Sequence, residues 1–344
     1  MTALTTPNRV TTSSSQSADL PRVPKSSIAI VGATPMGEAL GARLGLVPRG
    51  VSSERLWDAH DWNGPECFIL AVDAPQLPRV LTELGQRRTR KASILQVARG
   101  LAPDGACLGE VAARLLGERL NTHAALLGGC TARDFASATP TRATLACADE
   151  AMSRAIGAHF VDTALHVRLT TDVQGTEWAA AFGEVLAFLA GLADSADFEA
   201  GTRTWVLAAA SDEIVALAER ELRVSGRDFA SRAGPWPTEF LAALVQEGPS
   251  RSFGRLLGRG FSVDDAVEQV AERSAGDGRR EMSRDNIPAI STLQGALSRG
   301  YTRDCPGLAA LCDLVVHASS ARELWQRLLH RSLPTIDEGM GATA

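Results

Sequence analysis

Short apolar runs alternate with amphipathic segments through the first half of the chain, and longer apolar segments fill the second half. Residues 27–31 (SIAIV), 67–72 (CFILAV), 93–97 (SILQV), 124–127 (AALL) and 143–147 (ATLAC) have the form of strands buried on both faces of a parallel sheet. Residues 35–44, 76–84 and 105–120 read as helices between them, the last with Val111, Leu115 and Leu116 at helical spacing. This alternation predicts an α/β fold with a doubly wound parallel sheet. From about Thr170 the texture changes to Ala/Leu-rich segments at 172–195, 202–223, 238–246, 264–273, 287–298, 307–314 and 319–331, which predict an all-α second domain. The stretch 274–284 is a polar connection.

The expected organisation has three parts. Residues 1–26 are Ser/Thr/Pro-rich and too poor in apolar surface to offset the entropy of ordering, so they form a disordered tail. Residues 27–167 form the sheet domain and 168–344 the helical one. The interval from Ser27 to Val72 is only 46 residues. It leaves room for about one further strand, at Arg55-Leu56-Trp57.

Composition narrows the partners. The formal net charge of −5 gives no general attraction to nucleic acid. No run approaches the roughly 20 apolar residues of a membrane helix, and no basic-then-apolar leader opens the chain, so a cytoplasmic protein without membrane insertion is expected. Six scattered cysteines and six histidines show no metal-ligand spacing, so no metal is expected. Only two of the 35 basic residues are lysines, Lys25 and Lys91.

The first candidate site is the turn after residues 27–31. A dinucleotide fingerprint reads G-x-G-x-x-G between a strand and a helix, the glycines allowing a tight turn, close approach of the pyrophosphate, and close packing. Gly32 and Gly37 supply the first and third; the second is Thr34, whose Cβ obstructs the approach. Pro35 suits a first helical turn but removes an N–H donor. A plain strand-to-helix turn explains the same residues equally well. Asp58 could imitate the acidic residue that holds a ribose, though its polar surroundings read as a surface loop, and Asp73 would repel a pyrophosphate.

Taken in order, six landmarks resemble the bacterial NAD(P)-dependent glycerol-3-phosphate dehydrogenases across residues 27–332. Gly32 to Gly37 stands where that family has GAGxWG, and Ala98-Arg99-Gly100-Leu101 where it has SKGL. Gly128 to Asp134 with Pro140-Thr141 matches the frame of GPSFAEE…PT, Asp172 to Glu177 that of DVIGVE, Gly201-Thr202-Arg203 through Glu213 that of NAR…AE, and Phe253-Gly254 with Gly258-Arg259-Gly260 that of FG…GRG. The resemblance implies a Rossmann-like domain with a shortened first half, a dimer, and NAD or NADP at Gly32, Thr34, Met36, Gly37, Arg99 and Ala132.

It also implies a catalytic lysine at the position held here by Gly183, beside Glu184, which reads as a structural or solvated carboxylate. The family's second lysine is Arg99, which keeps the charge but is a poor acid or base. The aspartate of GLGDL falls on Thr238, and the phosphate-holding SRN on Gly248-Pro249-Ser250, with Arg251 close enough to bind substrate in part. Gly183, Thr238 and Arg99 are therefore degenerate catalytic positions, and cofactor binding is expected to be weak or absent. Two functions follow: a non-catalytic relative that binds a ligand, a protein partner or a second copy of itself, or an active NAD(P)-dependent oxidoreductase acting on glycerol 3-phosphate or an altered substrate through a rearranged site.

Overall fold

The computed structural model describes residues 22–49, 62–137, 140–161, 163–223, 235–274, 284–317 and 320–331. The candidate strand at 55–57, Asp58, most of the 274–284 connection and residues 1–21 of the tail lie outside them. The end of the tail is ordered, contrary to expectation: Val23 is buried, its carbonyl meets His159 Nε2 at 2.9 Å, and Lys25–Ser27 make a 3₁₀ turn.

Six strands lie in sequence order in one sheet: β1 (Ile28–Val31), β2 (Cys67–Leu70), β3 (Ala92–Gln96), β4 (Leu120–Leu127), β5 (Thr141–Cys147) and β6 (Leu165–Thr170). All neighbours are parallel except β4 and β5. The expected all-parallel sheet is thus mixed. The reason is the short link between β4 and β5, which holds only the one-turn helix α4 (Ala132–Ala136) and cannot carry the chain back to the starting end of the sheet.

The sheet is wound both ways from β1. After α1 (Pro35–Leu44) the chain returns beside β1 on the edge away from β2, where Arg49 bridges Val31 in parallel and Gly32 N–H donates to the Arg49 carbonyl at 2.8 Å. Trp62 then packs on the opposite face with α2 (Leu77–Arg87) and α3 (Leu108–Leu116). The reversal beside β1 is the switch point at which such sheets form their ligand crevice. Side chains alternate across the sheet as strand geometry requires: Val31, Phe68, Leu70 and Ile94 face α2 and α3, whereas Ile30, Ile69, Leu95 and Leu126 face α1, α4 and α5 (Glu150–Gly157).

Strand β6 was not anticipated, and the boundary expected at 167/168 cuts through it. Its alternation of Leu165, Val167 and Leu169 with His166, Arg168 and Thr170 is that of a half-exposed edge strand, not a buried run. The helical domain starts with α6 (Val173–Ser195) and continues through α7 (Ala200–Leu222), α8 (Trp236–Val245), α9 (Pro249–Gly258), α10 (Val263–Ser274), α11 (Pro288–Arg299), α12 (Pro306–Val316) and α13 (Ala321–Arg331). No strand occurs there among the described residues. Helix α9 was also missed, because Pro249, Gly254 and Gly258 weaken the helical signal.

Helix α6 is the spine of this domain. Contrary to the sequence reading, it is long and apolar enough to cross a membrane, yet 89% of its most apolar window is buried within the protein. Helix α9 meets it backbone to backbone: a Cβ on Gly191 would lie 2.0 Å from the Arg251 carbonyl oxygen, and one on Gly254 would lie 2.1 Å from that of Phe188. Neither neighbour is a flexible side chain that could move aside. Gly254→Ala is therefore expected to force α9 off α6 and to cost at least about 1–3 kcal/mol, measured as a lower midpoint in urea denaturation. An unchanged midpoint would refute this close approach.

Candidate functional site

The C-terminal ends of β1 to β4 face α6, α8, α9 and α11 across a cleft of about 690 Å³. Thr34, Met36, Arg99, Ala132, Gly183 and Arg251 line it, so the structure gathers six of the sequence candidates in one place. Gly32 and Gly37 lie beneath the loop and serve its packing. Gly32 has φ +108, and a Cβ there would lie 2.1 Å from the Ala71 carbonyl oxygen; one on Gly37 would lie 2.0 Å from the Gly32 carbonyl oxygen. Thr34 is the N-cap of α1, its Oγ1 accepting from Gly37 N–H at 3.1 Å. That bond takes a donor that a helix N-terminus offers to an anion, and Pro35 removes another. Asp73 enters the same mouth and accepts from Asn286 Nδ2 at 2.5 Å, joining the sheet domain to the helical one. The turn thus meets one of its own helix-terminal donors from within.

The floor of the cleft is ionic. Arg99, just past β3, donates through Nε to Glu184 at 2.6 Å and through Nη2 to Glu239 at 2.5 Å. Glu239 is fully buried and also accepts from Gly128 N–H at 2.8 Å. Burial alone would lower the Arg99 pKa, but the Glu239 and Glu184 carboxylates outweigh it, and the guanidinium is held more firmly charged than usual. Neither Thr238 nor Glu239 is among the residues lining the cleft, but Glu239, the next residue on α8, places a buried carboxylate on Arg99. That pairing could be seen only after folding. Glu184 lines the cleft, and 15% of its side chain is exposed.

Gly183 faces this network from the middle of α6. A Cβ there would meet Glu239 at 3.5 Å, an ordinary contact, so packing does not require the glycine. Arg251 is already engaged: Asp194 accepts from its Nε at 3.0 Å and its Nη2 at 2.9 Å, and the Leu244 carbonyl accepts from Nη1 at 2.5 Å. A guanidinium held this way braces α9 against α6 while still lining the cleft. Cys130 also lines the cleft, but burial first, and the Glu239 carboxylate next, push its thiol up to about 12, which makes it a poor nucleophile. No group of three or more acidic, histidine or cysteine side chains placed to hold a metal occurs among the described residues.

A sheet wound both ways from β1, a crevice at its switch point and a helical second domain define a two-domain protein with a Rossmann-like sheet. Comparison with known proteins shows what the chain is similar to. The chain is 25% identical over 272 residues to the glycerol-3-phosphate dehydrogenase [NAD(P)+] of Corynebacterium urealyticum, covering 78% of each chain. It is 29% identical over 251 residues to that of a Chelativorans species, covering 70% of this chain and 73% of the relative. Its fold matches the crystal structure of glycerol-3-phosphate dehydrogenase from Coxiella burnetii with a TM-score of 0.73 at 19% identity, covering 88% of this chain and 98% of that one. No family model matches. The chain is thus similar in sequence to bacterial NAD(P)-dependent glycerol-3-phosphate dehydrogenases, at 25–29% identity in these two comparisons, and shares the fold of a solved one.

Two substitutions separate the roles of the floor. Arg99→Ala leaves Glu239 buried without its cation and is expected to cost about 3–5 kcal/mol, as broken buried pairs do. Gly183→Ala is expected to be neutral or to stabilise by about 0.5–1 kcal/mol, since glycine weakens a helix interior. Chemical denaturation of both variants checks this, and a large loss in Gly183→Ala would show that the glycine is required by packing.

Proposed function

We propose that this chain is a glycerol-3-phosphate dehydrogenase relative that no longer catalyses that reaction and keeps the interdomain cleft as a binding or regulatory module. The observation that carries the reading is the composition of the cleft floor. Hydride transfer to a carbonyl needs a group that supplies a proton and steadies the developing oxyanion. The floor offers Gly183, which has no side chain, and Arg99, whose charge is already shared by two carboxylates. An anionic phosphate substrate would meet Glu184 at that floor and find Arg251 bound to Asp194. Binding of NAD or NADP, the cofactors named for the relatives, is weak on this reading, because Thr34, Pro35 and Asp73 all oppose a pyrophosphate. The occupant is then a different ligand or a protein partner, which includes a second copy of the chain.

The persistence of a 690 Å³ cleft favours a second reading, an active oxidoreductase with an altered substrate, because the volume lies in the usual ligand range of about 300–1,000 Å³. Two measurements on the purified protein separate the readings. NADH consumption with dihydroxyacetone phosphate at high enzyme concentration is expected to stay at the level of a boiled control, and Gly183→Lys alone should not raise it, because the cofactor turn and the occupied Arg251 remain. Calorimetric titration with NADH is expected to give no micromolar binding. Turnover by the unmodified chain would overturn the non-catalytic reading; tight NADH binding without turnover would overturn only the cofactor part.

A further inference from the structure

A second polar cluster lies under α6, between the two domains and away from the cleft. Glu177 is fully buried at the start of α6, and its carboxyl accepts from Gln96 Nε2 on β3 at 3.0 Å and from Gly109 N–H, in the first turn of α3, at 3.1 Å to each oxygen. His123 on β4 places Nε2 3.6 Å from the same carboxyl with 8% of its side chain exposed. Neither ring nitrogen of His123 has a hydrogen-bond partner, nor does Gln96 Oε1. The remaining neighbours do not neutralise the site. Glu110 of α3 adds repulsion, the buried Cys107 thiol only hydrogen-bonds, and Arg299 of α11 is spent on Glu110 at 3.3 Å.

An imidazolium here would bury two N–H donors, neither within hydrogen-bond distance of an acceptor. A carboxylate would be a desolvated ion 3.6 Å from a neutral ring. An ion pair is what the residue types suggest, but the separation is too long for a charge-assisted hydrogen bond. We propose that Glu177 and His123 form a neutral acid–imidazole pair, with the proton on the carboxyl, and that this pair is a pH-responsive pin holding α6 to the sheet.

The titrations agree with the geometry. Burial pushes Glu177 up to about 7, against the help of Gly109 and Gln96, and burial pushes His123 down to about 4. In the unfolded chain near pH 5.5 the same two groups are carboxylate and imidazolium. Folding therefore breaks an imidazolium N–H bond and forms a carboxyl O–H bond, exchanging through water, with no net proton taken up. The signs follow from linkage. The raised Glu177 contributes stability that is fully present below its ordinary 4.5 and lost as pH rises through about 7. The depressed His123 contributes stability present above its ordinary 6.5 and lost as pH falls through about 4. Between 4.5 and 6.5 the two slopes cancel. Above about 7 the junction holds a desolvated anion met only by the neutral donors of Gly109 and Gln96, with no cation against it, and α6 loosens; Gly183 and Glu184, about two turns further along, move with it.

Urea unfolding of the full chain from pH 4.5 to 6.5 tests the pair. The unmodified protein should show a nearly flat profile from these two groups. Glu177→Gln leaves only the His123 slope, so its unfolding constant should fall by up to about tenfold per pH unit as pH rises; His123→Asn leaves only Glu177 and should show the opposite slope. Two measurements on the unmodified chain decide the matter even if a variant does not fold. Nuclear magnetic resonance of the imidazole nitrogens should find His123 neutral at pH 5.5, and the infrared band of a protonated carboxyl should vanish as pH rises through about 7. An imidazolium at pH 5.5, or parallel slopes in both variants, overturns the neutral pair. Amide exchange along 177–184, corrected for intrinsic rates, should quicken between pH 6 and 8; equal protection at both overturns the pin.

Discussion

Helix α6 is buried along nearly all its length, and every polar group on it must be answered by another element. That constraint organises the molecule. At its first turn Glu177 is met by β3, β4 and α3, which joins the domains. Halfway along, Glu184 meets Arg99 from the end of β3, and Arg99 in turn reaches Glu239 on α8. Near its C-terminal end Asp194 receives Arg251 and Arg255 from α9. Three polar contacts at three heights thus position the helix against the sheet and its own domain, and apolar packing fills the space between them.

The cleft exists because this spine stands opposite the switch point of the sheet. Its walls follow from a fold shared with solved glycerol-3-phosphate dehydrogenases. At its floor Arg99 is shared between two carboxylates, while Arg133, Arg251 and Arg273 also line the cleft. Buried ion networks of this kind specify an arrangement more reliably than they stabilise it. The network fits a role in registering the two domains.

Glycine plays two distinct parts in this architecture. At Gly32, Gly37, Gly191 and Gly254 another backbone occupies the place of the missing Cβ, so the residue is a condition of the fold. At Gly183 that place borders the cleft and only ordinary contacts surround it. The first group fixes the close backbone approaches of the fold; Gly183 leaves room in the cleft wall.

The sequence by itself determined the strand positions in the sheet domain, the helical character of the second domain and most of the cleft-lining candidates. These depend on local hydrophobic period and on short motifs, which act within a few residues. It could not show the antiparallel run of β5, since strand direction depends on where a short connection leads the chain. It missed β6 and α9 because an edge strand is half exposed and a glycine-rich helix is stabilised by its partner more than by its own propensity. It also left open which charges meet: the fold brings Glu239 to Arg99 and Asp194 to Arg251. Those pairings join residues 140 and 57 positions apart, and only the tertiary structure decides them, because charge complementarity acts through space between elements whose relative placement no local pattern encodes.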